Sequence, residues 1–395
     1  MPKLSQTAHS FPDSEIRRIF ELSLELDDVI PLSVGEPDLP VPQHILEAGA
    51  RAFKDGMIRY APNSGIMPLR RALAKKVTEF NKYPVGPDQI HIGAGGSNSL
   101  HMAMSLALGP GDEILVPDPG YATFFMTPRT VGATPVGYPL KAEHGFIPQI
   151  EDLKSLVTPN TKAILLNSPS NPLGVVFERD VMVALMDFAK EYDLWVISDE
   201  VYEYLVFDGE FISPATLDHD NRVLSVYSFS KTYGITGGRV GYLVTPPGMT
   251  SRVGALQEAN VSCVNTPAQY SALAAVEGPQ DDVHKALEHY RTNLARAREV
   301  LDAKNIEYLT PRGAIYLFIN MSHATGGDVS TWAENFLLEH KVALAPGTAF
   351  GQHGEGWVRV CFAGDTDLLV EGLSRLPSRP KQQGNDEEPQ PQEAD

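Results

Sequence analysis

Two serine hydroxyls, a lysine and an arginine lie close together near the middle of the chain, at Ser228, Ser230, Lys231 and Arg239. The apolar residues 223–227 precede this group and residues 240–244 follow it, and we expect both segments to be strands. Hydroxyl groups and a planar guanidinium suit phosphate oxygens, while a lysine amine whose pKa is lowered can attack a carbonyl. The group therefore predicts a Schiff-base lysine beside a phosphate site, although a lysine after a strand is more often a solvated surface charge.

Short apolar segments alternate with helical stretches through the middle of the chain, at residues 113–116, 163–166, 194–197, 223–227 and 240–244. This alternation predicts an α/β fold in which helices cover both faces of a mostly parallel sheet. Ligands of such sheets bind where the strands reach their carboxyl ends. The suggestive residues follow the strands in just this way, and they are Tyr121, Asn171, Asp199, Tyr202 and the group around Lys231. We therefore expect them to share one site.

A glycine-rich segment, Gly93-Ala94-Gly95-Gly96-Ser97, lies between a predicted strand at residues 90–92 and a predicted helix at 98–108. The first N–H groups of a helix have no intrahelical partner, so such a turn binds anions. Asn98 stands where the dinucleotide fingerprint requires its last glycine. The segment therefore predicts a phosphate-binding turn and does not match a Rossmann site.

The rest of the chain predicts a second, smaller unit. We expect helices over residues 11–27, 66–80 and 281–304, a strand pair over 309–321 around Gly313, and a strand over 357–362 that carries Arg359. The last residues are rich in Pro, Gln and acids, which predicts disorder. The expected division is an N-terminal segment that joins the small domain, a large domain, a small C-terminal domain and an acidic tail, at residues 1–45, 46–280, 281–378 and 379–395.

Charge and composition disfavour several classes of protein, among them nucleic-acid-binding, membrane and metal-binding proteins. The 395 residues carry a formal net charge of −18, which disfavours nucleic acid and anionic membranes as partners. The first ten residues lack an apolar core of signal-peptide length, and no apolar run is long enough to span a bilayer. Cys263 and Cys361 lie far apart, and the histidines show no metal-binding spacing. We expect a cytoplasmic protein without a metal site.

Three segments follow one another along the chain: Asn167-Ser168-Pro169-Ser170-Asn171-Pro172-Leu173-Gly174, Ser198-Asp199-Glu200-Val201-Tyr202, and Ser228-Phe229-Ser230-Lys231 followed by Arg239-Val240-Gly241-Tyr242. In this order they resemble the motifs of the class I/II aminotransferases, which are fold-type I enzymes that depend on pyridoxal 5′-phosphate. The likeness extends over nearly the whole chain, from about residue 16 to about residue 376. It implies a large domain with a mostly parallel sheet and a smaller α+β domain.

The resemblance also implies roles for the residues around the lysine. Lys231 resembles the lysine that holds the cofactor as a Schiff base and then acts as general acid and base. Asp199 would pair with the pyridine nitrogen and keep it protonated. Tyr202 and Asn171 would donate to the phenolic oxygen of the cofactor. Asp199 has an alternative interpretation as a helix N-cap, and Asn171 has one as a turn residue before Pro172.

Other positions are assigned by the same likeness. The phosphate would be bound by Gly95, Gly96, Ser97, Ser228, Ser230 and Arg239. Tyr121 would stack on the pyridine ring, although a core aromatic is the competing interpretation. Tyr60 resembles the tyrosine that reaches the phosphate of the neighbouring subunit, which implies a homodimer. Arg359 would bind the substrate α-carboxylate as a bidentate fork, and Gly35 would border that carboxylate.

The sequence departs from the usual family pattern at three places. Leu173 replaces the commonest threonine of the Asn-Pro-Thr-Gly motif, and Gly238 precedes Arg239 where a bulky aromatic is frequent. In the best-known aspartate aminotransferases, an arginine just before an Asn-x-Ser segment binds the distal carboxylate of the substrate. The nearest equivalent here is Glu258, before Asn260-Val261-Ser262, which speaks against this mode of dicarboxylate binding.

The implied activity is transfer of an amino group from an L-amino acid to a 2-oxo acid by a ping-pong mechanism. A C–S β-lyase or a cyclising synthase on the same fold is the first alternative, because one sequence does not reveal how the products partition. The lysine motif also satisfies S-x-x-K of the β-lactamases, but the accompanying S-D-N and K-T-G tripeptides do not occur. A regulator built on this fold would need a DNA-binding module before residue 16.

Overall fold

The N-terminal part of the chain is helical apart from one short strand. The structure, a computed structural model, describes residues 2–5, 8–9, 11–12 and 14–380. Its first elements are helix α1 (Glu15–Leu24), strand β1 (Ile30–Pro31), helix α2 (Gln43–Lys54) and helix α3 (Met67–Lys76). α1 is shorter than the helix predicted over residues 11–27 because Ser14 caps it, accepting a hydrogen bond from the Arg17 N–H. α3 continues into a π-helical turn, Val77–Asn81.

The central sheet has seven strands, in the spatial order β2-β8-β7-β6-β5-β3-β4. They are β2 (Ile90–Gly93), β3 (Glu113–Asp118), β4 (Thr134–Pro139), β5 (Thr161–Asn167), β6 (Trp195–Asp199), β7 (Val223–Ser228) and β8 (Gly241–Val244). All neighbours from β7 to β4 are parallel, while β8 is antiparallel to β2 and β7. The predicted mostly parallel sheet is confirmed. The sequence analysis missed β4, an edge strand whose two prolines and glycine disguise the pattern.

Helices cover both faces of this sheet. They are α4 (Gly95–Ala107), α5 (Thr123–Thr130), α6 (Ile150–Leu156), α7 (Arg179–Glu191), α8 (Phe229–Thr232), α9 (Thr250–Asn260) and α10 (Thr266–Glu277). Successive strand residues enter different cores, since Ile114 and Val116 belong to one apolar cluster and Leu115 to another. Burial on both faces explains why these strands read as continuous apolar runs.

The C-terminal part forms a second sheet with its own helices. Its elements are α11 (Asp281–Ala303), β9 (Tyr308–Leu309), β10 (Tyr316–Asn320), α12 (Ser322–Thr325), α13 (Val329–His340), β11 (Val342–Ala343), β12 (Ala345–Pro346), β13 (Trp357–Cys361) and α14 (Thr366–Ser374). The antiparallel sheet has the order β12-β13-β10-β9, and β1 pairs in parallel with β11. The strands expected around Gly313 are present as β9 and β10. The domain boundaries stay a prediction, and most of the expected acidic tail, residues 381–395, lies outside the described residues.

The registers bring the predicted site residues to one edge. Asn167 at the end of β5 lies opposite Asp199 at the end of β6, and Asp199 lies opposite Val226 of β7. The carboxyl ends of three neighbouring strands therefore converge, and β13 supplies Arg359 from the second sheet. Within the described residues, no helix is both long and apolar enough to cross a membrane.

Candidate active site

A cavity of about 750 Å³ opens at this edge of the sheet, a volume typical of small-molecule sites. Eleven predicted site residues line it: Gly35, Gly96, Ser97, Tyr121, Asn171, Tyr202, Ser228, Ser230, Lys231, Arg239 and Arg359. Asp199 and Gly95 lie directly behind the lining, next to Val201 and Arg239 respectively. Tyr60 is not part of the cavity of its own chain, and 91% of its surface is exposed.

Lys231 lies on the short helix α8, which begins where β7 ends. Ser228 caps this helix by accepting a hydrogen bond from the Ser230 N–H at 3.1 Å. The Nζ atom of Lys231 donates to the carbonyl oxygen of Gly35 at 2.6 Å. Burial lowers the pKa of Lys231, and the positive charges of Arg359 and Arg239 lower it further. An amine in this state is suited to attack a carbonyl and to accept a proton.

Asp199 is a buried acid at the end of β6. Its Oδ1 accepts a hydrogen bond from the Val201 N–H at 3.3 Å. Burial raises the pKa of Asp199 to about 7, while the Val201 N–H and the charge of Lys231 oppose the shift. Asn167 joins two strand ends, since its Nδ2 donates to the Asp199 carbonyl at 3.1 Å and its Oδ1 accepts from the Asn171 N–H at 2.9 Å. These bonds fix the backbone at Asp199 behind the cavity, and the Val201 N–H orients its carboxyl group.

One end of the cavity carries groups whose chemistry suits a phosphate. Helix α4 begins at Gly95 rather than at the predicted Asn98, so Gly96 and Ser97 lie in its first turn, where N–H groups lack intrahelical partners. A Cβ atom on Gly95 would lie 2.7 Å from Nη2 of Arg239, and Gly95 has a φ of +82°, so this position requires glycine. With the hydroxyls of Ser228 and Ser230 nearby in the lining, the donors form a cationic cradle.

Arg359 is a second group whose chemistry suits an anion. Its Nη1 donates to Asn171 Oδ1 at 3.0 Å, and its Nη2 donates to the Ser33 carbonyl oxygen. The guanidinium carbon lies 4.4 Å from the ring centre of Tyr316 and 4.8 Å from that of Phe350. Nε has no partner among the described residues, although the side chain is buried. A fork oriented in this way is suited to a carboxylate.

The sequence analysis missed Tyr316 and the cavity face of α1. The hydroxyl groups of Tyr316 and Tyr202 lie 2.7 Å apart, and a Cβ atom on Gly35 would lie 2.1 Å from the Tyr316 hydroxyl. Gly35 is therefore needed for this close approach. Ile16, Arg17 and Phe20 of α1 also line the cavity. The helical pattern of α1 indicated an amphipathic helix, but no local signal distinguished the side that contacts the cavity.

The family model of the aminotransferases of class I and II matches residues 27–376. The chain belongs to this family. It is 38% identical over 368 residues to the probable aspartate/prephenate aminotransferase of Aquifex aeolicus, covering 90% of this chain and 92% of that protein. It is 34% identical to aromatic-amino-acid aminotransferase 2 of Thermococcus litoralis, covering 94% and 97% of the two chains. The protein is accordingly an aminotransferase, and these names do not favour the lyase alternative.

A solved structure agrees with this assignment. The aspartate aminotransferase of Thermus thermophilus with maleate superposes with a TM-score of 0.90 at 33% identity, over 95% of this chain and 100% of that chain. The fold is therefore fold-type I, and the cofactor of the family is pyridoxal 5′-phosphate. The donors of the cavity fit that molecule: an amine for its carbonyl, a cationic cradle for its phosphate and a buried carboxyl for its ring nitrogen.

Proposed function

We propose that Lys231 is the Schiff-base lysine of this aminotransferase and its general acid and base. When bound, pyridoxal 5′-phosphate supplies a carbonyl for amino groups and a ring that withdraws electrons from the substrate α-carbon. The observation that carries the proposal is the state of Lys231, a buried amine with a lowered pKa whose Nζ atom donates to the Gly35 carbonyl. In this state Nζ would take the proton from the substrate α-carbon and deliver it to the carbon that carried the cofactor carbonyl.

The residues around Lys231 have complementary roles in this proposal. The carboxylate of Asp199, oriented by the Val201 N–H, holds a proton on the ring nitrogen. The Tyr202 hydroxyl and the Asn171 side chain donate to the phenolic oxygen, and the Tyr121 ring covers the pyridine face. The phosphate is bound by Gly95, Gly96, Ser97, Ser228, Ser230 and Arg239. Arg359 binds the α-carboxylate, and the Gly35 backbone borders it.

The proposal includes a homodimer in which Tyr60 completes the partner's phosphate site. Support comes from the exposed surface around Tyr60, because Phe53, Met57 and Ile58 are 60%, 48% and 62% exposed. Apolar side chains exposed together in this way are typical of an interface. The expected domains, 46–280 and 281–378, would meet at the start of α11. Both cysteines are free thiols, which supports the cytoplasm as the compartment.

We propose acidic and aromatic L-amino acids, with the corresponding 2-oxo acids, as substrates. The names of the relatives support this choice, since they are called aspartate/prephenate and aromatic-amino-acid aminotransferases. The cavity combines cationic side chains with the apolar Leu100, Met126 and Phe20, so it offers contacts to both kinds of side chain.

The deciding experiment is a spectral titration of the purified holoenzyme with aspartate, glutamate, phenylalanine, alanine and cysteine in turn. We expect aspartate, glutamate and phenylalanine to convert the cofactor to its amine form and a 2-oxo acid to restore the starting spectrum. Release of pyruvate, ammonia and sulfide from cysteine, without such conversion, would show a lyase instead.

A second experiment tests the shared site. Lys231→Ala and Tyr60→Ala subunits are each impaired, but a mixed dimer contains one site with Lys231 from one chain and Tyr60 from the other. We expect activity to rise after the two variants are unfolded together and refolded. Unchanged activity in a verified mixed dimer would contradict the role of Tyr60.

A further inference from the structure

The cavity has a charge pattern opposite to that of the whole chain. Four cationic side chains line it, Arg17, Lys231, Arg239 and Arg359, and none of its described lining residues is an acid. The complete chain has a net charge of −18. Under the proposed function, three of the four cations serve the cofactor carbonyl, the phosphate and the α-carboxylate. Arg17 has no role in that scheme.

Arg17 lies on a helix whose position is fixed by contacts on another side. Ile19 of α1 is buried, and it packs in a cluster with Ala333 and Leu337 of α13. Arg18 forms an ion pair with Glu334 of α13 at 2.8 Å. These contacts hold α1 against the second sheet unit, so the side chains on its neighbouring face have a defined place.

Hydrogen bonds from Glu15 also hold α1 in place. Glu15 Oε2 accepts hydrogen bonds from the hydroxyls of Ser330 and Thr348, each at 2.8 Å. Residues 16, 17 and 20 then share the remaining face because of the 3.6-residue helical repeat, and all three line the cavity. The location of Arg17 at the cavity is therefore a consequence of how α1 is anchored.

The guanidinium of Arg17 has donors left for a ligand. Its Nε donates to Glu21 Oε1 at 2.8 Å, one helical turn away. Nη1 and Nη2 donate to no side chain or carbonyl in the part of the chain that the structure describes. Glu21 thus orients the planar group while its outer edge stays available, which is the edge that binds carboxylates bidentately.

We propose that Arg17 is a specificity-determining residue that binds the second carboxylate of dicarboxylic amino acids and 2-oxo acids. This inference rests on the proposed function, since Arg359 is taken to hold the α-carboxylate at the opposite side of the substrate. Arg17 would also supply the cation that is missing at Glu258. That residue stands where the best-known aspartate aminotransferases have an arginine, and here it accepts a hydrogen bond from Asn63 at 3.3 Å. The apolar neighbours Ile16 and Phe20 leave the same place open to an uncharged aromatic ring.

Binding of maleate, an unreactive dicarboxylate, tests this without turnover. We expect Arg17→Gln to weaken maleate binding to the holoenzyme by about 10- to 100-fold, the usual range for a hydrogen bond to a charged group. Binding of the monocarboxylate isovalerate should stay unchanged. Arg18→Gln is the matched control, because Arg18 is exposed on the same helix and pairs with Glu334 outside the cavity lining. Equal maleate affinity in wild type and Arg17→Gln would overturn the proposal.

Substrate preference gives the second readout. In Arg17→Gln, kcat/KM for aspartate should fall by the same factor as maleate affinity, whereas kcat/KM for phenylalanine should not fall. Arg17→Lys should recover part of the loss, since it keeps the charge but not the fork. A wild type that transaminates no amino acid, while Arg17→Gln still weakens maleate binding, would refute the proposed function and leave Arg17 as a carboxylate ligand. An unaltered aspartate-to-phenylalanine ratio in an active Arg17→Gln enzyme would refute the role of Arg17.

Discussion

Two lysines among the described residues, Lys231 and Lys76, have buried amine groups, and their partners differ. Lys231 borders the cavity, where its Nζ donates to the Gly35 carbonyl. Lys76 belongs to a closed cluster, where its Nζ forms an ion pair with Glu203 and donates to Asn81 Oδ1 at 3.0 Å. Aromatic rings surround the second amine at about 5 Å: Phe80, Tyr204 and Tyr227.

The partners decide what each lysine does. Burial lowers the pKa of both amines. Glu203 opposes this shift at Lys76, whereas at Lys231 Cys361 and Glu36 oppose it and Arg359 and Arg239 reinforce it. A buried ammonium group paired with a carboxylate has a structural role, because removing either partner leaves an uncompensated buried charge. An amine among other cations is easily deprotonated and hence reactive. Under the proposed function, the same residue type therefore serves stability in one region and chemistry in the other.

Two consecutive acids also lie in these two regions, one at the cavity and one in the cluster around Lys76. Asp199 lies behind the cavity, while Glu200 points into the closed cluster and accepts hydrogen bonds from the Tyr227 hydroxyl at 2.7 Å and the Ser213 hydroxyl at 3.0 Å. Each region also contains a pair of tyrosine hydroxyls: Tyr202 with Tyr316 at 2.7 Å in the cavity, and Tyr83 with Tyr227 at 2.9 Å in the cluster. These matched pairs allow the comparison to be tested.

The largest effect is expected for Lys231→Ala. We predict a loss of transamination of about 10⁴-fold or more, because the general acid/base and the nucleophile disappear together. The melting temperature should not fall, since the change removes a buried amine that has no carboxylate partner. Single-turnover rates with aspartate and a thermal melt measure the two quantities. A variant within tenfold of the wild-type rate would contradict the role of Lys231.

Lys76→Met should have the converse result. We predict a decrease of about 3–5 kcal/mol in the free energy of unfolding, because Glu203 remains buried without its cation. Urea denaturation measures this decrease. The double variant Lys76→Met/Glu203→Gln should regain much of the loss, and folded protein should keep its activity. A Lys76→Met protein as stable as wild type would show that the pair is not structural.

Glu200→Gln should change how stability depends on pH. Burial raises the pKa of Glu200 to about 7, so the folded chain keeps a proton that the unfolded chain releases at lower pH. The contribution of protonated Glu200 is fully present below the unfolded pKa of about 4.3 and is lost as pH rises toward 7. The free energy of unfolding of the variant, relative to that of wild type, should therefore increase by about 1–3 kcal/mol as the pH is raised from 5 to 8. Urea denaturation of both proteins at pH 5 and at pH 8 measures this increase. If the two proteins differ by the same free energy of unfolding at both pH values, the raised pKa of Glu200 is contradicted.

The smallest effects are expected for the tyrosine pairs. Tyr316→Phe removes one hydrogen bond beside Tyr202 and Arg359, and we predict a reduction of kcat/KM of about 3- to 10-fold with little change in stability. Tyr83→Phe should instead lower the free energy of unfolding by about 1 kcal/mol and leave kcat/KM unchanged. Steady-state kinetics and urea denaturation of both variants separate the two regions. The reverse pattern would refute the division between them.

Several features of this protein follow from the sequence alone. The alternating apolar segments were sufficient for the α/β class, because strands buried on both faces have a distinctive continuous pattern. Asn171, Asp199 and Lys231 follow successive strands, and parallel strands necessarily place their carboxyl ends at one edge. The sequence alone therefore predicts that these side chains lie together at one edge of the sheet, and the structure places them there.

Only the tertiary structure decided the electrostatic surroundings of these side chains and which other residues lie beside them. The states of Lys76 and Lys231 depend on Glu203, Arg239 and Arg359, most of which are distant in sequence. Tyr316 meets Tyr202 only because β10 of the second sheet lies over the end of β6, and Arg17 reaches the cavity only because α13 anchors α1. The pKa of a side chain and the shape of a binding surface depend on the residues that lie nearby in space. Burial and Coulomb interactions act through space rather than along the chain.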